Sequence, residues 1–162
     1  MNKKPSFLPF IILGLLTSGI FSCDTNRVYE EHQGLSGYTW PVNDTLTFEV
    51  PAGAAKNLRS TLRIKYNDSY DYYNIYVRYI LKDSLDSLLE NQLLDINLFD
   101  PKTGKPLGEG FGNAYTQLDT LSLKNMDEQM PLKVQLIQYM RSKELKGVES
   151  IGLKIEKRLS QK

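Results

Sequence analysis

Apolar residues that recur at every second position are the feature that most limits how this chain can fold. After Trp40 the sequence contains seven separate runs of this kind, with mainly polar residues at the alternate positions. A period of two is that of a β-strand with one buried and one solvated face. The runs span residues 46–50, 62–66, 73–81, 94–98, 121–123, 132–136 and 151–155.

Seven strands with one apolar face each predict antiparallel sheets packed on a shared core. We therefore predict an all-β domain built as an antiparallel β-sandwich, of which the jelly roll is one form. Turn-forming residues at 67–69 and 100–104 agree with this class. Residues 84–93 form either a short helix with its leucines on one face or a loop leading into the next strand. Residues 140–145 have the features of a helical turn ended by Gly147.

The N-terminus has the layout of a secretory signal peptide. Lys3 and Lys4 are followed by a nearly unbroken apolar run over residues 7–16 and a smaller, turn-prone stretch over residues 17–22. The apolar core is about ten residues long, whereas a transmembrane helix needs about twenty. We therefore predict that residues 1–22 are a cleaved signal peptide.

Cys23 follows this segment directly and is the single cysteine of the chain. Residues 20–23 resemble a lipobox, with Ser22 at the small position and with Ile20 and Phe21 departing from the usual pattern. We predict that the Cys23 thiol carries lipid, with acyl chains such as palmitate, because two or three chains hold a protein on a membrane where one does not. The alternative is an exported protein with a free thiol. The predicted location is the cell envelope, with the outer membrane favoured over the inner.

Composition limits what the mature chain can do. Residues 23–37 are polar and predict a lipidated tether, or an extended segment that docks only partly, which leaves residues 38–162 for the β-sandwich domain. The formal net charge is +1 for the whole chain, which lacks the basic excess that nucleic-acid binding requires. With no second cysteine, the fold must rest on its hydrophobic core and not on disulfides.

No group of residues predicts a catalytic, metal-binding or cofactor-binding site. His32 is the single histidine and falls in the predicted tether, which argues against a Ser-His-Asp triad or a histidine metal cluster. The glycine-rich residues 108–112 lack the following helix of a nucleotide-binding loop, and a β-bulge or close backbone packing explains them better. Two acid pairs, Asp68 with Asp71 and Asp83 with Asp86, are interpreted as solvated turn carboxylates.

Six tyrosines are crowded between residues 66 and 79. The alternation places Tyr73 and Tyr79 in the core and points Tyr70, Tyr72 and Tyr76 outward. Exposed tyrosines on a β-sandwich suit either sugar stacking or a protein interface, so these three form the candidate binding surface. Ordinary cross-strand packing is the alternative.

Several segments in order along the mature chain are similar to one family. They are residues 23–30, Trp40 followed by Asp44 and an alternating strand, and residues 73–79, 100–113 and 147–156. On these segments the chain resembles the GldH gliding motility lipoproteins of the Bacteroidetes. The likeness is strongest just after Cys23 and in the last strand.

The resemblance implies a non-enzymatic lipoprotein of the cell envelope that supports gliding and the linked type IX secretion machinery. Its expected partners are the membrane, through the lipid, and other envelope proteins. One rival hypothesis is a glycan-binding surface lipoprotein in which the outward tyrosines stack on sugars. A second rival is an envelope hydrolase, which would need a carboxylate pair in a deep cleft.

Overall fold

The computed structural model describes residues 26–52, 58–121 and 131–157. The predicted signal peptide, Cys23 and Leu123 lie outside these ranges. Among the described residues, no helix has the length and apolar character needed to cross a bilayer. Besides a single short 3₁₀ helix at Ser36–Tyr38, these residues form eleven strands. Their bounds are β1 Arg27–Gly34, β2 Thr39–Pro41, β3 Thr45–Val50, β4 Leu58–Asn67, β5 Asn74–Asp83, β6 Leu88–Asn97, β7 Glu109–Phe111, β8 Ala114–Leu121, β9 Leu132–Gln138, β10 Glu144–Lys146 and β11 Val148–Lys157.

The strands form two main antiparallel sheets. The five-stranded sheet has the order β1-β11-β4-β8-β7, the four-stranded sheet has the order β3-β9-β5-β6, and β2 pairs with β10 in a short ribbon. When the eight longest strands are numbered 1 to 8 in chain order, their spatial order is 1-8-3-6 in one sheet and 2-7-4-5 in the other. This is the strand order of a jelly roll, so the predicted β-sandwich is confirmed in that form.

The inner faces of the two sheets supply the core. The predicted inward positions of β5, Ile75, Val77, Tyr79 and Leu81, are all buried, as are those of β3, β9 and β11. Burial of these side chains from both sheets removes a continuous apolar layer from water, which is the main stabilising contribution in a sandwich without disulfides. Trp40 of β2 is fully buried as well, and its indole N–H donates to the backbone oxygen of Asp44 at 3.1 Å.

Residues 27–34, which the sequence placed in the tether, form strand β1 instead. This strand pairs with β11 along its length, from Arg27 opposite Glu156 to Gly34 opposite Ser150. Polar side chains of this strand form hydrogen bonds within the chain. The Gln33 side-chain amide donates to the backbone oxygen of Thr47 on β3 at 2.8 Å, and the Tyr29 hydroxyl donates to the Glu31 carboxylate at 2.6 Å. An edge strand that is polar on both faces shows no alternation.

The predicted turns are confirmed, and the helices are not. The Asp100 carboxylate accepts hydrogen bonds from the backbone N–H of Lys102 at 3.0 Å and of Thr103 at 2.7 Å, and Gly104 has a positive φ of 66°. Residues 84–87 form the turn of the β5–β6 hairpin, so the loop alternative is the correct one there. The helical turn predicted over residues 140–145 is wrong, because the chain bends and then forms β10. Gly147 has a positive φ of 80° but ends a strand.

The connections of the jelly roll define two ends of the sandwich. At one end β1 and β4 begin and β11 and β8 finish, because Lys157 pairs with Leu58 and Ser60 with Leu121. Strand β3 ends and strand β9 begins at this same end, where the β5–β6 hairpin also lies. We call it the anchor end, since residue 26 lies there. The far end carries the β4–β5, β6–β7 and β9–β10 connections.

Candidate interaction surfaces

The three tyrosines predicted to point outward have three different environments. Tyr72 is exposed, as predicted, and Tyr76 of β5 is half-buried on the outer face of the four-stranded sheet. Tyr70 is buried, and its hydroxyl donates to the backbone oxygen of Asn74 at 2.7 Å. The prediction that Tyr70 forms part of a binding surface is therefore wrong. Tyr73, predicted to be in the core, is exposed because β5 begins one residue later.

Tyr70 belongs to an aromatic cluster that closes the far end of the core. Its ring stacks on Phe99 with centroids 6.4 Å apart, and Phe99 in turn meets Tyr66 edge to face at 5.2 Å. The Tyr66 hydroxyl donates to the backbone oxygen of Leu98 at 2.5 Å and accepts from the N–H of Gly108 at 3.1 Å. Burial raises the pKa of Tyr70 and of Tyr66. These rings pack and cap the core, which is the alternative stated for them.

The glycine-rich residues 108–112 lie at the β7–β8 hairpin, where backbones approach closely. A Cβ at Gly108 would meet the backbone carbon of Thr116 at 2.6 Å, and one at Gly110 would collide with the backbone oxygen of Ala114. Gly112 has a positive φ of 67° in the two-residue loop between Phe111 and Ala114. The predicted close backbone packing is confirmed.

The acid pair Asp83 and Asp86 lies at the β5–β6 turn, in agreement with the prediction that these are turn carboxylates. The Asp83 carboxylate accepts from the backbone N–H of Leu85 and of Ser87, both at 2.8 Å, and Asp86 is 2.8 Å from the Lys133 ammonium. In the ranges 26–52, 58–121 and 131–157, no three His, Cys, Asp or Glu side chains come together as a metal site.

His32 lies on the outer face of β1 and not in a linker. It stands opposite Gly152, and its ring occupies the space that a Cβ at Gly152 would need. Its Nε2 atom is 3.3 Å from the Glu30 carboxylate, which also binds Arg27 at 2.9 Å and Arg63 at 3.1 Å. The hydrogen bond from Arg27 is the main cause that lowers the pKa of Glu30. Lys154 and Glu156 add a further pair at 2.6 Å. The outer face of the five-stranded sheet is thus an ion-pair face.

Shallow depressions of 480 and 320 Å³ lie on the ion-pair face, and both are lined by Arg63 and Leu118. Leu118 is 56% exposed and stands opposite Arg63. Neither depression is enclosed by aromatic or apolar walls, which are the usual lining of a small-molecule site.

The outer face of the four-stranded sheet carries a patch of different composition. Arg78 of β5 lies between Ile137 of β9 and Leu93 of β6 in one cross-strand row. Tyr76 and Tyr139 form the neighbouring row, where the backbone N–H of Tyr139 donates to the Tyr76 oxygen at 2.8 Å. Tyr139 is 52% exposed and Leu93 is 48% exposed. We call these five residues the Tyr139 patch.

Arg78 is held in the patch by an aromatic ring and not by a carboxylate. Its guanidinium carbon is 4.4 Å from the centroid of the Tyr139 ring, a cation–π contact. Its Nη1 atom is 3.4 Å from the Asn91 side-chain oxygen, while Nε is buried and has no acceptor among the described residues. No carboxylate in the described part of the chain forms an ion pair with Arg78. The patch therefore combines tyrosines, aliphatic side chains and an arginine whose charge stays available.

Sequence reasoning found Tyr76 but not Tyr139 or the patch. A signal was present, because β5 and β9 carry Ile80 and Ile137 on the face opposite their buried alternation. The solvated outer face of an antiparallel sheet is normally polar, so apolar residues on the outer face of central strands indicate a candidate interaction surface.

The strand order of the two sheets defines the class of the domain, a jelly-roll β-sandwich. The family model described as "GldH lipoprotein" matches residues 27–155, so the chain belongs to the GldH lipoprotein family. As a member of a lipoprotein family it is a membrane-associated protein of the cell envelope. It is similar to the gliding motility lipoprotein GldH of Flavobacterium johnsoniae, with 22% identity over 158 residues, covering 91% of this chain and 95% of the relative.

Proposed function

We propose that this chain is a lipid-anchored, non-enzymatic subunit of an envelope assembly linked to gliding motility and type IX secretion. Lipid on Cys23 holds it on the membrane, and the Tyr139 patch binds a protein partner. The motility link rests on the family and on the similarity to the gliding motility lipoprotein of Flavobacterium johnsoniae. The binding role rests on the composition and exposure of the patch.

The observation that carries the binding role is the pairing of Arg78 with Tyr139 at the centre of an otherwise solvated sheet. Tyrosine and arginine are the residues most enriched among those that dominate binding energy at protein interfaces. Both side chains lose less conformational freedom on binding here, since each already restrains the other at 4.4 Å. Leu93 and Ile137 extend the surface with apolar area on either side.

Two exposed leucines, one on each outer sheet face, allow a matched test. Leu93→Glu puts a charge into the Tyr139 patch, and Leu118→Glu puts the same charge on the ion-pair face at similar exposure. Tagged variants are purified from the host after mild cross-linking, and the co-purifying envelope proteins are quantified. We expect Leu93→Glu to reduce their recovery at least tenfold and Leu118→Glu to leave it unchanged.

Equal recovery with both variants would contradict the assignment of the patch. Cys23→Ala tests the anchor in the same experiment: a variant that stays on the membrane as firmly as wild type would contradict lipidation at that residue. Thermal unfolding of each variant confirms that the exposed substitutions leave the fold intact.

Glycan binding is the second candidate function, and one observation favours it. Tyr72 and Tyr73 are adjacent and exposed at the far end, where aromatic rings can stack on sugars. Isothermal titration with envelope oligosaccharides, compared between wild type and the Tyr72→Ala and Tyr73→Ala variants, tests it. Binding that both substitutions abolish would support this function, and the absence of measurable heat would remove it.

A further inference from the structure

We propose that the tip of the β5–β6 hairpin is a second membrane contact, which inserts Leu85 and Leu88 into the lipid surface beside the acyl anchor. The inference rests on the proposed lipidation of Cys23. The hairpin tip contacts the same bilayer that holds the lipid anchor, and this second contact fixes the orientation of the domain on the membrane.

The first argument is the length of chain between the lipid and the fold. Strand β1 begins at Arg27, and the backbone oxygen of Asn26 already accepts a hydrogen bond from Lys157 at 2.9 Å. Three peptide units separate Cys23 from Asn26, and a fully extended chain covers at most about 3.6 Å per residue. The anchor end of the sandwich is therefore held within about 11 Å of the lipid-bearing residue.

The second argument is where the hairpin lies. Its tip belongs to the anchor end, because Asp83 of β5 pairs with Leu132 at the start of β9, opposite the end of β3. Within the four-stranded sheet, β3 is the edge strand that contacts β1, and β6 is the opposite edge strand, three strands away. The hairpin tip therefore lies on the opposite side of the sandwich from β1. Three strand spacings of about 4.8 Å and one sheet-to-sheet distance of about 10 Å place the two membrane contacts about 17 Å apart across the end of the domain.

The third argument is the exposure of the tip. Leu85 is 78% exposed and Leu88 is 60% exposed, although leucine side chains pack favourably in an apolar medium. The turn holds Leu85 outward rather than letting it fold back. The backbone N–H of Asp83 donates to the Ser87 oxygen at 3.1 Å, and the Asp83 carboxylate accepts the N–H of Leu85 and of Ser87.

The charged groups near the leucines are compatible with shallow insertion. The Asp83 carboxylate already has two N–H donors, and Asp86 is paired with Lys133. Lys82 stands opposite Lys133 on the outer face, one position from the tip, where its ammonium reaches lipid phosphates. The leucines thus enter the boundary between headgroups and acyl chains, while the paired carboxylates stay on the water side.

Two contacts at opposite edges of one end fix how the domain stands on the membrane. A single lipid anchor fixes one point of the domain on the membrane, whereas a second contact about 17 Å away removes most tilts. The far end then points away from the lipid, and the Tyr139 patch faces along the membrane surface.

The single native cysteine makes a direct test straightforward, because lipidation blocks its thiol. Lipidated mature protein with Leu85→Cys is spin-labelled and placed in vesicles of phosphatidylethanolamine with a minority of phosphatidylglycerol. Leu107→Cys, an exposed leucine at the far end, is the matched control. Power saturation with oxygen and with a water-soluble nickel chelate then reports the depth of each label.

We expect the label at 85 to be several-fold more accessible to oxygen than to nickel, and the label at 107 to show the reverse. Nickel accessibility at 85 equal to that at 107 would overturn the proposal while leaving lipidation intact. If the protein failed to bind the vesicles at all, the anchor itself would be refuted. With Leu85→Cys and Leu88→Ser combined, the label should move toward water, and an unchanged depth would contradict the role of Leu88.

Discussion

The two outer sheet faces of this jelly roll both meet solvent, and the charged side chains on them have different kinds of partner. On the ion-pair face, the Glu30 carboxylate binds Arg27, Arg63 and His32, so both arginines have a carboxylate partner, although the Nε atom of Arg63, like that of Arg78, has no acceptor among the described residues. On the four-stranded sheet, Arg78 rests on the Tyr139 ring and has no carboxylate partner among the described residues. On the proposed function, the face with paired charges stays in water, and the face where an arginine lies among aromatic side chains is covered by a partner.

The largest expected effect comes from removing one arginine from each face. Arg78→Gln takes the cation from the Tyr139 ring, and Arg63→Gln makes the same change beside Glu30. We expect partner recovery in quantitative pull-downs to fall about tenfold or more with Arg78→Gln, since central interface residues contribute at least about 1.4 kcal/mol. Recovery with Arg63→Gln should stay within about twofold of wild type. A larger loss from the Arg63 variant would reverse the comparison.

The next effect is the acid sensitivity of the ion-pair face. Hydrogen bonding from Arg27, and then from His32, lowers the pKa of Glu30 below its ordinary value near 4.5. A carboxylate whose pKa is lower in the folded state than in the unfolded state stabilises the fold at any pH above its unfolded-state pKa. This stabilisation is lost as the pH falls through the folded-state pKa. Because the partners are partly exposed, we expect about 1 kcal/mol in total.

Urea unfolding of wild type and Glu30→Gln at neutral pH and near pH 3 measures this contribution. Wild type should lose more free energy of unfolding on acidification than the variant. Glu109→Gln, an exposed carboxylate of β7 with no ion pair among the described residues, is the control and should titrate like wild type. Identical pH dependence for the wild type and the Glu30 variant would show that the ion pairs contribute nothing.

The smallest effect concerns the contact between His32 and Gly152. A Cβ at position 152 collides with the His32 ring, so Gly152→Ala should displace the ring and cost a few tenths of a kcal/mol by loss of its contact with Glu30. His32→Ala removes the obstacle, and the double variant should therefore cost less than the sum of the two single variants in a double-mutant cycle. Additive costs would mean that the ring moves freely and that this face is less ordered than described.

How far the sequence predicts the fold depends on whether a strand buries one apolar face. The runs within β3, β5, β9 and β11 were found because alternate residues enter the core. Strand β1 was missed because it is an edge strand whose inward side chains, such as Gln33, are satisfied by hydrogen bonds to a neighbouring strand. The leucines of residues 84–93 have helical spacing, yet pairing of β6 along β5 outweighs that local preference.

The candidate surface was harder to predict for a geometric reason. Tyr70 and Tyr72 are two residues apart, which would put them on one face of a strand, but they lie in the β4–β5 connection, where alternation does not hold. Tyr139 and Arg78 are 61 residues apart in sequence and meet only because β9 pairs with β5. Contacts that the strand order creates cannot be read from local periodicity.

Site-specific photo-cross-linking in the living host tests the central claim most directly. A benzophenone amino acid is placed at Leu93 in the Tyr139 patch and, in a separate strain, at Leu118 on the ion-pair face, so that covalent capture reports contact without relying on stability in detergent. The account predicts a discrete cross-linked protein species from position 93 and none from position 118. Capture from position 118 with none from position 93 would contradict it.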